Sequence, residues 1–188
     1  MHESVMTWTA EVLSRSSIAG RTVLEVGAYD VNGSVRPIVE ALGPASYIGV
    51  DQSEGPGVDH VCDAIALTDE YGVDAFDLVI CTEMFEHVQA WEPVLVELVR
   101  VLSPGGLLLI TTRSEGFPYH PYPIDAWRYS EAGIREMLEA CNLRVVVLES
   151  DPQAPGVFAL ALKPPRWKPP RWLRAFDAVT GVTAMVQP

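Results

Sequence analysis

What is scarce in this chain excludes most functions before any motif is read. No apolar run approaches the roughly 18 residues needed to cross a bilayer, so no transmembrane helix is expected. The opening MHESVMTWTAEV lacks the basic start and apolar stretch of a secretory leader, which points to a cytoplasmic location. Basic side chains are few, 13 Lys and Arg against 25 Asp and Glu, for a net charge of −12. That sign opposes DNA, RNA or an anionic membrane surface as a partner. Cysteine is limited to Cys62, Cys81 and Cys141, odd in number and far apart, so reduced thiols are expected rather than a disulfide or zinc framework. The 188 residues amount to one domain, and 48% hydrophobic composition is enough for a real core.

Two further absences narrow the cofactor. Thr22 to Val26 reads as a buried strand running into a turn at Gly27, with a helix-like segment from Ser34 to Leu42. Tyr47-Ile48-Gly49-Val50-Asp51 reads as a second strand ending on an acid. A glycine turn lets backbone approach a ligand closely, a helix start offers free N–H groups, and an acid at the tip of strand two accepts both hydroxyls of a ribose. This is a nucleoside-binding layout. A dinucleotide loop needs G-x-G-x-x-G, and the middle glycine is missing: Tyr29 stands in the loop and Gly33 comes late. A P-loop needs Lys before Ser or Thr, and Gly33-Ser34 has none. A ligand without phosphates remains, and S-adenosylmethionine, whose sulfonium and amino-acid end tolerate acids nearby, fits.

Alternation of apolar strands (about 22–27, 46–50, 58–61, 75–80, 106–112, 143–149 and 157–163) with helical segments (34–42, 64–71, 91–102, 130–141) predicts a parallel sheet covered on both faces. One amphipathic helix is expected over 3–16. Only Asp151–Gly156 separates the last two strands, too little for a crossover, so they should form an antiparallel hairpin. From Ser114 to Tyr129 the chain is rich in proline and aromatic residues and has no period. A loop of this length at the carboxyl edge of an α/β sheet reads as functional.

These segments, in this order, resemble the class I S-adenosylmethionine-dependent methyltransferases over roughly residues 20–163. Val23-Leu24-Glu25-Val26-Gly27 is similar to the family's first motif and Asp51 to its second-strand acid. Val61-Cys62-Asp63-Ala64 resembles the adenine-contacting segment. Phe76 to Glu83, with Phe85-Glu86-His87-Val88 after it, resembles the fourth strand and its mouth, and Leu102-Ser103-Pro104-Gly105-Gly106 the turn before strand five. The resemblance implies a Rossmann-like three-layer α/β sandwich with a mostly parallel seven-stranded sheet ending in an antiparallel hairpin, the methyltransferase domain occupying 1–163 and a proline/tryptophan tail 164–188.

It also implies site roles. Glu25 would meet the ammonium end of the cofactor, with Gly27 and the loop at Tyr29 lying against its methionine portion. Asp51 would take the ribose hydroxyls, beside Gln52. Asp63 would reach the adenine amino group and Ala64 would offer its backbone N–H. Cys81 and Thr82 would hold the ammonium end through backbone carbonyls. His87 would lie near the methionine end, or serve as a structural histidine bonded to backbone. The residues themselves suggest His120, in the aromatic loop beside Tyr119 and Tyr122, as a general base, since imidazole titrates near neutrality. Tyr122, Trp127 and Arg128 are candidates for the acceptor pocket, though pairing of Arg128 with Asp125 would simply hold the loop. The Glu83-Glu86-His87 grouping would suit a metal, but no second carboxylate or His pair stands at ligand spacing on an expected strand end, so no metal is expected.

The reading is methyl transfer from S-adenosylmethionine, leaving S-adenosylhomocysteine, to an O or N atom of a small molecule such as a sugar, an aromatic or a natural-product intermediate. A peptide or protein methyltransferase and a non-catalytic partner subunit on the same fold are the alternatives. The near-repeat Lys163-Pro-Pro-Arg-Trp-Lys-Pro-Pro-Arg-Trp172 should pack on its own domain or on a second copy, which would make a homodimer.

Overall fold

A computed structural model describes residues 2–121 and 124–173. Its centre is β1 (Thr22–Val26), where four consecutive residues are buried. Such an unbroken apolar run belongs to a parallel strand covered on both faces. β2 (Ser46–Asp51) and β4 (Phe76–Thr82) flank β1 in parallel, β3 (His60–Val61) extends β2, and β5 (Leu102–Arg113) lies parallel to β4. β6 (Arg144–Ser150) and β7 (Gly156–Leu162) close the sheet antiparallel, in the order β3-β2-β1-β4-β5-β7-β6. The fold class and terminal hairpin are as the sequence implied.

Helices fill both faces. α1 (Glu3–Val12), α2 (Arg15–Ile18) and α3 (Arg36–Glu40) cover one, through Val5, Trp8, Ile18, Val35 and Val39 packed on Val23, Leu78, Ile80 and Phe158. α4 (Leu67–Tyr71), α5 (Trp91–Val101) and α6 (Glu131–Ala140) cover the other, through Leu67, Leu95, Leu98, Ile134 and Leu138 packed on Leu24, Val26, Val79 and Ile110. Ser130 caps α6 by accepting a hydrogen bond from the Gly133 N–H at 3.0 Å.

Several boundaries differ from expectation, two of them for clear local reasons. The single helix expected over 3–16 is two, because Ser14 adopts an extended backbone and starts α2 through a reciprocal cap with Ser17. β5 begins earlier than 106, because residues around Gly105 are bound by the chain that follows β7: Gly105 N–H donates to Lys163 O at 2.7 Å and Lys163 N–H to Gly106 O at 2.9 Å.

Every parallel strand points its carboxyl end to one edge. That edge collects Gly27, Asp51, Val61, Glu83 and Ser114, the positions where a doubly wound sheet binds ligands.

Candidate functional site

The edge has two halves. The first is built by the turns after β1, β2 and β3. Gly27 has φ +80, a conformation that favours glycine, and a Cβ there would press on the Met84 side chain at 3.0 Å. The loop after it runs under the loop after β2: Asp30 N–H donates to Pro56 O at 2.8 Å, and the Tyr29 ring lies on Gly55, where a Cβ would come within 2.1 Å of it. Tyr29 therefore faces the neighbouring loop. Asp30 closes its own turn by accepting the Gly33 N–H at 2.7 Å.

Strand pairing brings Asp51 and Asp63 together, since Asp51 pairs with Val61 and its carbonyl accepts the Cys62 N–H at 2.9 Å. Each carboxylate fixes its own turn, Asp51 accepting Ser53 N–H at 3.1 Å and Asp63 accepting Ile65 N–H at 3.2 Å. Asp51 is half-buried, Gln52 and Asp63 are exposed, and Ala64 is half-buried between Asp63 and Ile65. Val61 and Ile65, each 55% exposed, offer apolar side chains beside the two acids.

Glu25 sits deeper than the sequence suggested. It is 1% exposed, and its carboxylate accepts the Tyr47 hydroxyl at 2.7 Å on the α3 face of the sheet. Burial, offset by the Tyr47 bond, pushes its pKa up to about 7. Arg36 stands over the Tyr47 ring and binds Asp59 and the Gly57 carbonyl, while Asp59 also accepts the Gly49 N–H at 2.7 Å. Arg36 and Asp59 thus clamp the loop after β2. Nothing in the sequence marked them, since their meeting depends on where α3 lands.

The second half lies at the mouths of β4 and β5. Cys81 and Thr82 are buried, and the Thr82 Oγ1 has no hydrogen-bond partner. Glu83 follows with φ +55, a left-handed backbone unusual for a side chain of this kind. Its carboxylate binds Arg113 and accepts the Thr111 hydroxyl at 3.0 Å. Arg113, fully buried, also reaches Asp151 at 3.0 Å, and Asp151 accepts the Ser4 hydroxyl at 2.9 Å. This network ties α1, β5 and the hairpin turn to the β4 mouth.

A 3₁₀ turn, Phe85–His87, then turns two functional side chains toward the aromatic loop. The Glu86 carbonyl accepts Ala126 N–H at 2.8 Å, Tyr129 hydroxyl donates to Phe85 O at 3.3 Å, and His87 Nδ1 lies 2.6 Å from Ile124 O. Arg128 pairs with Asp125, and Asp125 accepts the His120 N–H at 2.9 Å, so Arg128 braces the loop. That pairing holds the Asp125 carboxyl far below its ordinary range. Trp127 donates to Gln89 O at 3.3 Å and Tyr119 is 74% exposed, while Tyr122 lies outside the described residues.

The result is a cluster that the sequence did not reveal. His120, carried by the loop after β5, comes to rest against His87 with ring centroids 4.9 Å apart. Both Nε2 atoms face one Glu86 oxygen, at 4.0 Å from His87 and 3.9 Å from His120. Glu86 is 0% exposed, bonds Thr112 through its other oxygen at 2.8 Å, and leaves this oxygen without a hydrogen-bond partner. Burial, with Glu83 nearby, raises its pKa to about 7. The expectation of no metal rested on the absence of a second carboxylate or His pair at ligand spacing on an expected strand end; the fold brings His120, from the loop after β5, to Glu86 and His87.

Known proteins agree with this architecture. A sequence model of the methyltransferase domain matches residues 1–148. A ubiquinone biosynthesis O-methyltransferase of Pseudomonas putida (strain GB-1) is 33% identical over 112 residues, covering 52% of this chain and 47% of that protein. The chain thus spans about half the length of the curated relatives it matches. Among solved structures, the 1,6-didemethyltoxoflavin-N1-methyltransferase of Burkholderia thailandensis, with bound 1,6-didemethyltoxoflavin and S-adenosylhomocysteine, superposes with a TM-score of 0.71 at 20% identity, covering 86% of this chain and 79% of that one. An S-adenosylmethionine-dependent methyltransferase from Mesorhizobium loti gives 0.64 at 16% identity, over 83% and 97%. The chain belongs to the methyltransferase-domain family, of the class I S-adenosylmethionine-dependent type.

Proposed function

We propose that the protein transfers a methyl group from S-adenosylmethionine to an oxygen of a small-molecule acceptor. The observation that carries the reading is the division of one sheet edge into a nucleoside half, with Asp51 and Asp63 beside exposed Val61 and Ile65, and a reacting half, with Glu86, His87 and His120 at the β4 mouth. The residues present fit the cofactor. Asp51 suits a ribose, the apolar pair with Asp63 suits an adenine, and Gly27 leaves room for a chain to pass. The buried Thr82 hydroxyl lacks a partner, so a polar group of the ligand would satisfy what the protein leaves open.

Bound there, S-adenosylmethionine supplies an electrophilic methyl on a sulfonium. The chain then has to align the acceptor and shed water, which supplies about 7–11 kcal/mol of the barrier. The acceptor oxygen must also lose its proton, and the Glu86–His87–His120 cluster is where it is lost, worth roughly 10²–10⁴-fold. An oxygen acceptor is favoured by this imidazole pair and by the O-methyltransferases among the relatives. The net charge of −12 favours a small neutral or cationic acceptor over a nucleic acid.

Calorimetric titration with S-adenosylhomocysteine tests the reading. Micromolar binding to the wild type is expected, weakened about 10–100-fold in Asp51→Ala, the worth of a charge-assisted hydrogen bond. A wild type that does not bind sinks the proposal.

A further inference from the structure

We propose that Glu86, His87 and His120 form a binding site for a divalent transition-metal ion that takes the acceptor oxygen in an open coordination position. The case begins with where the protons are. His87 Nδ1 sits 2.6 Å from the Ile124 carbonyl, and an oxygen of that kind only accepts, so Nδ1 carries the hydrogen. His120 Nδ1 faces only acceptors as well, Pro118 O at 3.2 Å and Asp125 Oδ2 at 3.2 Å. In the neutral imidazoles both Nε2 atoms therefore present lone pairs, and both face the same Glu86 oxygen, itself buried and without a donor.

With Glu86 ionised and both imidazoles neutral, three donor atoms within 4.8 Å of one another turn lone pairs toward a common point, an arrangement that a cation satisfies. A proton does not bridge them, because 3.9 and 4.0 Å exceed hydrogen-bond reach. A metal about 2.0–2.2 Å from each donor does, once the donors close by about 1 Å. His120, 36% exposed on a loop, has the freedom to close.

The outer bonds are those of a metal centre. A ligating histidine usually donates its other N–H to a carbonyl or carboxylate, as both do here, His87 to the Ile124 carbonyl and His120 to that of Pro118. The nearby cations do not compete, since Arg113 is held by Glu83 and Asp151, and Arg128 by Asp125. Two imidazoles with one carboxylate favour Mn²⁺, Fe²⁺, Co²⁺ or Zn²⁺ over Mg²⁺ and Ca²⁺, which prefer oxygen alone. Three protein donors leave positions open, where a hydroxyl bound to the ion would become more acidic and pass its proton to solvent water, so that its oxygen takes the methyl as the sulfonium C–S bond breaks. The metal's part in catalysis rests on the methyl-transfer reading; its binding does not.

Titration of the full, tag-free chain with Co²⁺ and Mn²⁺ after chelator treatment decides the matter, read by visible absorption and by electron paramagnetic resonance. One ion per chain is expected, with affinity reduced at least about 10-fold in His120→Asn and in Glu86→Gln. Far-ultraviolet circular dichroism and thermal unfolding of each sample report that the fold is intact, and S-adenosylhomocysteine binding is measured alongside. A folded wild type that takes up neither ion, or variants that bind as well as the wild type, would overturn the site. Ion binding without S-adenosylhomocysteine binding would instead overturn the methyl-transfer reading and leave the metal site standing.

Discussion

Glu25 shows how a residue type is legible while its state is not. An acid ending an apolar strand is visible in the sequence, but its 1% exposure and its bond to Tyr47 depend on the neighbouring strand. Burial raises its pKa from 4.5 to about 7, so the folded protein holds a proton that the unfolded chain releases. In the cofactor-free protein, then, stability is greatest below the unfolded pKa and falls as the pH climbs from about 4.5 to about 7, with the full cost of up to a few kcal/mol present above that window. Glu25→Gln removes the titration and keeps a partner for Tyr47. Thermal unfolding between pH 4.5 and 8 should show the wild type losing stability relative to Glu25→Gln, with the gap widest at pH 8. A gap that does not change with pH would show that Glu25 does not titrate in this window. The placement of Asp51 and Asp63 near each other was legible, because strand-end acids need only the strand order to meet. His120 was legible as a candidate base, and its partner Glu86 was not, since only the loop's return over the 3₁₀ turn brings them together.

Elements were legible where period and apolar runs dominate, and less so where capping and turn contacts decide. All seven strands and the terminal hairpin follow from the pattern, yet the break after α1 turns on the Ser14 cap, and the short α3 on a preceding turn that Asp30 closes. Two glycines, alike in sequence, separate in the structure. A Cβ on Gly49 in β2 would stand 2.3 Å from the Gly57 carbonyl and 2.7 Å from Arg36 Nη2, so the clamp on the loop after β2 depends on its absence. Gly133 in α6 would place a Cβ 3.4 Å from the Ser130 hydroxyl, ordinary contact in a helix that alanine favours. Gly49→Ala should cost about 1–3 kcal/mol and weaken S-adenosylhomocysteine binding, because the displaced loop carries Gln52 and borders Asp51. Gly133→Ala should gain about 0.5–1 kcal/mol and leave binding unchanged. Urea unfolding and calorimetry on both variants check the pair; equal effects would show that the loop clamp carries no weight.

At the scale of the whole molecule the C-terminal segment decides whether the domain is finished by its own chain. Two tryptophans in a basic, proline-rich stretch look like a surface for a partner. Instead Trp167 donates to the Cys141 carbonyl and Trp172 to the Ala140 carbonyl, both at 2.8 Å, satisfying the end of α6. The anchor is Lys163, 1% exposed, whose ammonium binds Asp74 at 2.7 Å and the carbonyls of Val99 at 2.9 Å and Leu102, with Trp167 stacked over it at 4.3 Å. A buried ammonium is tolerable only with such partners, and removing it would leave the carbonyls at the α5–β5 junction unpaired. The segment therefore acts as a strap joining the C-terminal ends of α5 and α6. Trp167→Ala should lower stability by about 2–3 kcal/mol, through lost apolar burial, a lost hydrogen bond and a less shielded Lys163. Trp172→Ala, at a side chain 42% exposed, should cost about 1 kcal/mol. Light scattering on the same samples should give one unchanged mass for the wild type and both variants, because each indole spends its N–H within the chain. A wild-type dimer that dissociates in Trp172→Ala would show that the exposed part of that ring meets a second copy.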